Sequence, residues 1–443
     1  MTMRRAMLVV FALVAAGVRA DDWPHFRGPT RDGVWRETGV LEKFPGPQIR
    51  ARWRVPISSG YTSPTVAQGR VYVADRVTEP KEAERIHCFD WQSGGRLWGY
   101  SYPCDYSAIQ YKAGPRAAIT LYAGRAYSLG AVGHLHCFDA ASGAVLWKKD
   151  LVKEFGARVP TWGMASAPLV EGSLLFLLAG AQPNASVLCL DARTGAKRWG
   201  ALDDPIAYSS PLLTQHAGKW IVVCWTAKRL AGLDALTGKL LWDYPYTYRR
   251  YADGVITPVR YQDRLFVSSF SEGSLMLRLL PDRLAVEKVW RRMGKDERNT
   301  DSIHTLMCNP YIADEHIYGF DSYGEFRCLE ASYGSLAWQN KTVTSQARFG
   351  TGHLVVNGPN VWIFNDSGEL IISRLTPKGY EELSRAKLLE PTRVQYNRRE
   401  GVTWSHPAFA YKHVFNRNDE ELVCASLEGT GLPAKRDWHK RVK

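Results

Sequence analysis

The chain repeats one short pattern along most of its 443 residues. The segment HCFDWQSGGRLW at 87–98 returns as HCFDAASGAVLW at 136–147, LCLDARTGAKRW at 188–199, AGLDALTGKLLW at 231–242 and RCLEASYGSLAW at 327–338. Repetition at a regular period indicates a modular architecture, so this pattern constrains the fold more than composition does. In each segment an acid lies eight residues before a tryptophan, and a glycine lies four residues after the acid. These acids and tryptophans are Asp90, Trp98, Asp139, Trp147, Asp191, Trp199, Asp234, Trp242, Glu330 and Trp338.

Each repeat predicts four short β-strands joined by tight turns. The apolar residues before the acid suit a strand, the acid can accept hydrogen bonds from the turn backbone, and the glycine tolerates a positive φ. A further strand–turn–strand pattern precedes each unit, as in ASAPLVEGSLLFLL at 165–178, and eight such patterns occur. Trp53 and Trp290 extend the tryptophan series, and a tryptophan-free member is expected near residue 386.

The tryptophan spacing predicts an all-β fold, an eight-bladed β-propeller of four-stranded antiparallel blades. Successive tryptophans lie 43 to 52 residues apart, and no segment of the mature chain has helical periodicity. Four-stranded units of this period are typical of propeller blades. The last unit stops after its third strand at 421–427, whereas a lone strand at 51–55 has no unit before it. We therefore expect the N-terminal strand to join the C-terminal blade and close the ring.

The N-terminus predicts an exported protein, periplasmic or secreted. Residues 1–20 combine a basic start, a short apolar stretch and a small-residue cleavage pattern, which together are typical of a signal peptide. A retained N-terminal anchor is the alternative, although the apolar stretch is short for a bilayer, and we expect no transmembrane segment in the mature chain. The predicted organisation is a signal peptide at 1–20, an extension packing on the propeller at 21–50, the propeller at 51–430 and a basic tail at 431–443.

The charge balance favours an anionic partner. The formal net charge of +13 becomes +10 without the signal peptide, which contains three arginines and no acid. A basic protein of this kind suits an acidic polysaccharide, a carboxylate-rich ligand or a membrane surface. Export and the lack of a long Lys/Arg run argue against nucleic acid.

The eight cysteines do not form an obvious disulfide framework. Equivalent positions in successive blades should lie farther apart than the ~7 Å that a disulfide allows. We therefore expect the cysteines at the shared repeat position to be buried as small apolar side chains. A disulfide that involves Cys104, Cys224 or Cys308 stays open. The shared position holds Cys88, Cys137, Cys189, Cys328 and Cys424.

The segment LDARTGAKRW at 190–199 resembles the repeat of pyrroloquinoline-quinone-type β-propellers, whose tryptophan-docking motif is Ala/Leu-Asp-x-x-Thr-Gly-x-x-x-Trp. The opening DWPHFRGPTRDGV at 22–34 is similar to the N-terminal segment of exported bacterial proteins that carry this propeller. The resemblance covers nearly the whole mature chain and implies the fold. It does not imply one function, because a shared fold hosts different activities.

Two branches of that family imply different activities. Quinoprotein dehydrogenases hold pyrroloquinoline quinone and calcium in the central funnel through a Glu–Asn–Asp set and commonly have a disulfide between adjacent cysteines. This chain has no adjacent cysteines and no evident carboxylate-rich set. The other branch resembles outer-membrane assembly lipoproteins, which bind proteins without catalysis, but the chain lacks their lipobox cysteine.

No residue pattern identifies a catalytic or metal site. The chain has no GxSxG, HExxH, CxxC, GxGxxG or P-loop motif. His134 and His136 share a strand face at a spacing that metal sites can use. We interpret these histidines, and the repeated His–Cys pairs at 87–88 and 136–137, as strand positions set by the repeat, and we predict that they bind no metal. The repeated acids are interpreted as turn formers.

The candidate site lies in the loops that break the repeat. Connections that lead to the next inner strand cross one face of a propeller toward its axis, and several of them are rich in tyrosine and arginine. Loops on a rigid ring commonly carry the binding residues. The candidate ligand-binding residues are Tyr61, Arg116, Trp162, Tyr208, Asp253, His304, Arg348 and Trp404.

These observations favour an exported, non-catalytic propeller that binds a protein or an anionic polymer of the cell envelope through its rim loops. We expect a monomer without a cofactor. The alternative is a quinoprotein oxidoreductase with a divergent funnel, which would need pyrroloquinoline quinone and calcium. A carbohydrate-binding module is a further alternative, since aromatic and arginine-rich loops also suit sugars.

Overall fold

A computed structural model describes residues 22–429. These residues form eight four-stranded antiparallel sheets, so the predicted all-β, eight-bladed propeller is confirmed. The first strands of neighbouring blades contact one another and form the inner wall of the ring. The predicted signal peptide at 1–20 and the predicted basic tail at 431–443 lie outside the described residues.

The strands follow the chain from the inside of each blade to the outside, and their bounds are as follows. Blades 1 and 2 contain β2 (Thr65–Ala67), β3 (Arg70–Val77), β4 (Ala83–Asp90), β5 (Arg96–Pro103), β6 (Thr120–Tyr122), β7 (Arg125–Leu129), β8 (His134–Asp139) and β9 (Val145–Asp150). Blades 3 and 4 contain β10 (Leu169–Glu171), β11 (Leu174–Ala181), β12 (Ala185–Asp191), β13 (Lys197–Ala201), β14 (Leu212–His216), β15 (Lys219–Trp225), β16 (Arg229–Asp234) and β17 (Leu240–Pro245). Blades 5 and 6 contain β18 (Val259–Tyr261), β19 (Arg264–Ser269), β20 (Gly273–Leu279), β21 (Val286–Arg292), β22 (Tyr311–Ala313), β23 (His316–Phe320), β24 (Phe326–Glu330) and β25 (Leu336–Asn340). Blade 7 contains β26 (Gly352–Asn357), β27 (Asn360–Asn365), β28 (Glu369–Thr376) and β29 (Gly379–Lys387), and blade 8 contains β30 (Ala408–Ala410), β31 (His413–Arg417), β32 (Glu421–Ser426) and β1 (Ala51–Pro56).

The N-terminal strand closes the ring. Strand β1 pairs antiparallel with β32, and Trp53 lies opposite Cys424. This pairing supplies the fourth strand that the last repeat lacks in the sequence, so the predicted closure is confirmed. The edge that an open ring would expose is thereby paired.

The repeated acids form the turns between the third and fourth strands. Asp191 Oδ1 accepts hydrogen bonds from the backbone N–H groups of Arg193 and Thr194, at 3.0 and 2.8 Å, and from the Thr194 hydroxyl at 2.9 Å. Asp90, Asp139 and Asp234 accept equivalent bonds in their own blades. Hydrogen bonds of this kind favour the charged carboxylate, and they fix the turn that ends each third strand.

The repeated tryptophans dock onto the turn of the following blade. The Trp98 indole N–H donates to the Ala140 carbonyl at 3.0 Å, and its ring lies against Gly143, whose φ is +75°. A Cβ atom on Gly143 would lie 2.5 Å from the Trp98 ring, so only glycine fits here. The same indole-to-carbonyl bond is made by Trp53, Trp147, Trp199 and Trp290, each over the glycine of the next turn.

The cysteines at the shared repeat position are fully buried, as expected. Cys88, Cys137, Cys189, Cys328 and Cys424 have no exposed surface, and all eight cysteines of the chain are free thiols. Burial raises the pKa of the Cys88 thiol to about 12, so this thiol stays protonated and unreactive at neutral pH.

The segment before β1 crosses the inner strands from blade to blade. Trp23 exchanges backbone hydrogen bonds with Val66 of β2, and Pro24 accepts one from Leu121 of β6. Trp35 donates a backbone hydrogen bond to Val356 of β26. Residues 22–35, called the N-terminal plug below, therefore bond to the free edges of inner strands on three blades.

One short helix interrupts the strands. Helix α1 (Leu151–Phe155) follows β9, begins at an Asp150 N-cap and ends at Gly156 in a left-handed conformation. The expectation of a chain without helices missed this single turn, since five residues are too few to show a helical period. No helix among residues 22–429 is long and apolar enough to cross a membrane.

We predict that Gly143→Ala destabilises the propeller far more than Gly124→Ala. Both glycines have nearly the same positive φ, +75° and +74°, but a Cβ atom on Gly124 would meet nothing within 4 Å. Gly124→Ala should therefore lower the free energy of unfolding by about 1 kcal/mol, the cost of a left-handed alanine. Gly143→Ala should cost a further ~1–3 kcal/mol, because the Trp98 ring must move.

Urea denaturation of both variants and of the wild type measures this difference. Equal losses in the two variants would show that contact between the tryptophan and the glycine contributes nothing to stability.

Candidate functional site

A cavity on the propeller axis collects residues from all eight blades. It encloses about 200 Å³, and the connections that lead to the eight inner strands supply its wall. Phe26 of the N-terminal plug also lines it. We call this cavity the funnel. Its lining comprises Phe26, Tyr61, Ser63, Tyr111, Arg116, Ala118, Trp162, Ala165, Ala167, Tyr208, Ser210, Val255, Leu306, Met307, Phe349, His353, Trp404 and His406.

Aromatic side chains form a series of packed rings along part of the funnel wall. We call this series the collar; it comprises Tyr208, Trp162, Tyr111, Tyr396 and Trp404. The rings of Trp162 and Tyr208 stack with their centres 4.8 Å apart. The centre of the Tyr111 ring lies 6.0 Å from that of Trp162. Tyr111 lies 6.3 Å from Tyr396, which stacks on Trp404 at 5.0 Å. Packed rings hold one another in fixed orientations, so the collar offers rigid apolar faces to a ligand.

Among the described residues that line the funnel, Arg116 is the only arginine, and none is Asp, Glu or Lys. Its guanidinium lies 5.2 Å from the centre of the Tyr61 ring. It also donates to the carbonyls of Gly114 at 2.6 Å, Gln110 at 2.9 Å and Tyr111. These bonds use several of its donors and fix the guanidinium at the edge of the collar.

Two neutral histidines lie deeper in the funnel. The rings of His353 and His406 are 4.8 Å apart. His353 Nε2 donates to the Trp404 carbonyl at 2.9 Å, and His406 Nδ1 donates to the Pro407 carbonyl at 2.8 Å. Burial lowers the pKa of His353 to about 4 and that of His406 well below its ordinary value. Both rings are therefore uncharged at neutral pH, and the funnel interior is close to neutral.

The structure brings five of the eight candidate ligand-binding residues together. Tyr61, Arg116, Trp162, Tyr208 and Trp404 all line the funnel. The other three lie outside its lining and hold neighbouring loops. His304 donates from Nδ1 to the Phe270 carbonyl at 3.1 Å, and Arg348 pairs with Glu297 at 2.7 Å.

Asp253 is the third of these loop residues. Its carboxylate is 3% exposed and accepts hydrogen bonds from the backbone N–H and the hydroxyl of Ser271, both at 2.9 Å. Burial raises the pKa of Asp253 to about 6, although the bonds from Ser271 lower it. No cation lies within ion-pair distance of this carboxylate among the described residues, which explains why burial dominates.

Sequence reasoning missed several residues of the funnel. Tyr111 lies in a long connection that the sequence singled out, yet only the fold shows that its ring meets Tyr396 of a distant connection. His353 and His406 lie at or just before inner strands, where four of the other blades have Ala or Ser, and that local departure was the available signal. Phe26 belongs to the motif of the N-terminal plug, which gave no indication of its position.

The His–Cys pairs at 87–88 and 136–137 lie away from the funnel, on strands β4 and β8. His87 Nε2 lies 3.0 Å from Asp75, and the His136 ring packs 4.5 Å from the Tyr102 ring. Within residues 22–429 no group of three or more His, Cys, Asp or Glu side chains is arranged to hold a metal ion.

Comparison with known proteins identifies the family of this propeller. Residues 82–340 match the family model described as outer membrane protein assembly factor BamB. The match covers more than half of the chain, and the chain belongs to this family of quinoprotein-like propellers. No curated protein matches it in sequence.

Solved structures share the fold at low sequence identity. BamB from Moraxella catarrhalis is 13% identical with a TM-score of 0.59, and the alignment covers 85% of this chain and 99% of BamB. Quinohemoprotein alcohol dehydrogenase from Comamonas testosteroni is 12% identical with a TM-score of 0.63, over 94% of this chain and 82% of the dehydrogenase. A europium-containing methanol dehydrogenase is 12% identical with a TM-score of 0.60, over 92% and 90%. At these identities the likeness shows the fold alone.

The funnel does not fit the quinone and metal of the dehydrogenases. Calcium needs several oxygen ligands, mainly carboxylates, and the funnel lining contains no Asp or Glu. The carboxylates of the quinone would need cations, but the one arginine of the lining already bonds three backbone carbonyls. The donors present therefore match neither group.

We predict that Asp253 makes the protein more stable in acid than in neutral solution. Its folded pKa of about 6 lies above the ordinary value, so the folded protein binds the proton more tightly than the unfolded chain. The contribution is complete below about pH 4 and is lost as the pH rises through about 6. It amounts to roughly 3 kcal/mol.

The measurement is the free energy of unfolding of the wild type and of Asp253→Asn across this pH range. The wild type should lose about 3 kcal/mol relative to the variant. The matched control is Asp282→Asn, which removes a carboxylate that is 71% exposed. The prediction would be contradicted if the difference in unfolding free energy between the wild type and Asp253→Asn stayed constant with pH.

Proposed function

We propose that the protein is a non-catalytic propeller that binds a segment of a protein or polymer of the cell envelope in its aromatic funnel. The observation that carries the proposal is a rigid aromatic collar, built from several blades, along the wall of a cavity whose lining contains no carboxylate. Aromatic faces bind proline, aromatic side chains and sugar rings, and they need no cofactor to do so.

The surroundings of the funnel support a macromolecular ligand. The connections around it carry exposed arginines, such as Arg250 and Arg393. Such charges steer an anionic chain toward the opening while the apolar faces hold it. The family model is described as an assembly factor of the outer membrane, which supports a protein partner.

We also propose that the chain is exported to the periplasm or secreted, on the signal-peptide pattern of residues 1–20. The family supports this location, because it is described as an assembly factor of outer membrane proteins.

We predict that removing the collar abolishes ligand binding without unfolding the propeller. Trp162→Ala and Tyr111→Ala remove two adjacent rings that are partly exposed. The matched control is Tyr333→Ala, which removes a ring that is 70% exposed on the turn after β24. Immobilised protein is incubated with an envelope extract, and the retained proteins and glycans are quantified by mass spectrometry.

The ligand should be recovered by the wild type and by Tyr333→Ala and reduced about tenfold or more by each collar variant. Melting temperatures of the variants check that each one folds. Equal recovery by all three variants would show that the funnel is not the binding site.

We predict that the purified protein retains no quinone. After incubation with pyrroloquinoline quinone and calcium followed by desalting, the sample should show no quinone absorbance and no quinone-dependent reduction of a dye. Stoichiometric absorbance that is lost in Arg116→Gln would overturn the non-catalytic proposal and favour the oxidoreductase.

A further inference from the structure

A second cavity lies on the other side of Phe26 from most of the funnel. It measures about 80 Å³, and the N-terminal plug supplies much of its wall. Phe26, Ala167 and Ser210 line both cavities. We call the second cavity the axial pocket. Its polar lining comprises His25, Arg27, Thr30, Arg31, Thr120, Ser210 and Thr257.

Arg27 is a buried cation that forms no ion pair within residues 22–429. Arg27 is 7% exposed, and its Nη2 atom donates a hydrogen bond to the Asp32 carbonyl at 3.1 Å. The Asp32 carboxylate pairs instead with Arg36, at 2.5 Å. Burial lowers the pKa of Arg27 to about 10, although the charge of Asp32 raises it. Burying a guanidinium without an ion pair is costly, so a folded protein normally supplies an anion to it.

Arg31 adds a second cation to the same pocket. Its Nη2 donates to the Val170 carbonyl at 3.1 Å, and no carboxylate among residues 22–429 forms an ion pair with it. Burial lowers the pKa of Arg31 to about 10, and the negative charge of Glu171 partly offsets this effect. Arg27 and Arg31 therefore place two guanidinium groups on one small cavity whose lining has no Asp or Glu.

His25 adds a further hydrogen-bonding group, whereas Thr30 does not. His25 is 5% exposed, and its Nδ1 has no hydrogen-bond partner among the described residues. Burial and the positive charge of Arg31 both lower the pKa of His25. The Thr30 hydroxyl accepts a hydrogen bond from Arg36 at 2.9 Å and also hydrogen-bonds the Asp32 carboxylate, so both of its roles are used by the plug itself.

The backbone of the plug is strained at both arginines. Arg27 and Arg31 have φ values of +66° and +59°, a conformation that L residues other than glycine seldom adopt. Strain of this kind is tolerated where the position of a side chain matters. The bonds from Gly33 N–H to the Arg27 carbonyl and from Arg31 N–H to the Gly28 carbonyl maintain it.

We propose that the axial pocket binds a small tetrahedral oxyanion, phosphate or sulfate, either free or as a group on a larger molecule. Two guanidinium groups match the spaced oxygens of such an anion and bind it through charge-assisted hydrogen bonds. The volume of about 80 Å³ is several times the roughly 15 Å³ that a cavity needs to hold one water molecule, which leaves room for an anion of five heavy atoms. The anion would neutralise the charge that the protein itself leaves unpaired.

The test uses the full mature protein, with inorganic phosphate and sulfate as probes and titration calorimetry and thermal unfolding as readouts. Arg31→Gln removes the positive charge at a residue that is only partly buried. Arg31→Lys keeps the charge but loses the paired N–H donors of the guanidinium group. The matched control is Arg50→Gln, which makes the same change at an exposed arginine outside the pocket.

Phosphate should bind the wild type and Arg50→Gln and raise their melting temperatures, because a ligand stabilises the state that it binds. Binding should be about tenfold weaker in Arg31→Gln and intermediate in Arg31→Lys. Glycerol phosphate and vesicles that contain phosphatidylglycerol distinguish the source of the anion. Tighter binding of either one than of inorganic phosphate assigns the anion to a larger molecule.

Two results would overturn the proposal. One is the absence of any heat or shift in melting temperature with phosphate and sulfate at millimolar concentration in the wild type. The other is an equal affinity in Arg31→Gln and Arg50→Gln. Neither result bears on the collar variants, so the axial pocket and the funnel are tested independently.

Discussion

The hydrogen bond from a tryptophan of one blade to a turn carbonyl of the next determines the geometry of the whole ring. The indole N–H supplies direction, and the glycine beneath the ring supplies the space for close approach. The same contact recurs at several blade junctions and ties each of those pairs of neighbouring blades together. The pairing of β1 with β32 then joins the ends of the ring.

One junction shows what the docking contact normally provides. The Trp242 indole N–H is buried and has no hydrogen-bond partner among the described residues, because the turn of blade 5 departs from the repeat. There His216 Nε2 donates instead to the Leu280 carbonyl at 2.8 Å. A donor from a different strand thus bridges the same two blades. At this junction a hydrogen bond still joins the two blades, although the tryptophan is not its donor.

The fold was predictable from the sequence because it depends on contacts within and between neighbouring repeats. The acid, the glycine and the tryptophan each have a local reason for their position, and the period of the pattern gives the number of blades. The funnel was less predictable because its collar depends on contacts between distant connections. Tyr111 and Tyr396 are adjacent in space only because the ring is closed. Tyr61 and Trp404 lie in the connections that the sequence indicated, and both line the funnel. Asp253 and His304 lie in similar connections, but their side chains bond to Ser271 and Phe270 and do not line the funnel.

The N-terminal plug connects the two cavities to the architecture of the ring. A propeller leaves the inner edges of its first strands unpaired around the axis, and such edges must find hydrogen-bond partners. The plug supplies them at Val66, Leu121 and Val356, and in doing so it places Phe26 between an aromatic, nearly neutral funnel and a small cationic pocket. The same backbone bonds that satisfy the inner strands therefore fix the floor of the funnel. For this reason the specificity of the funnel can change through its connections without any change in the ring beneath them.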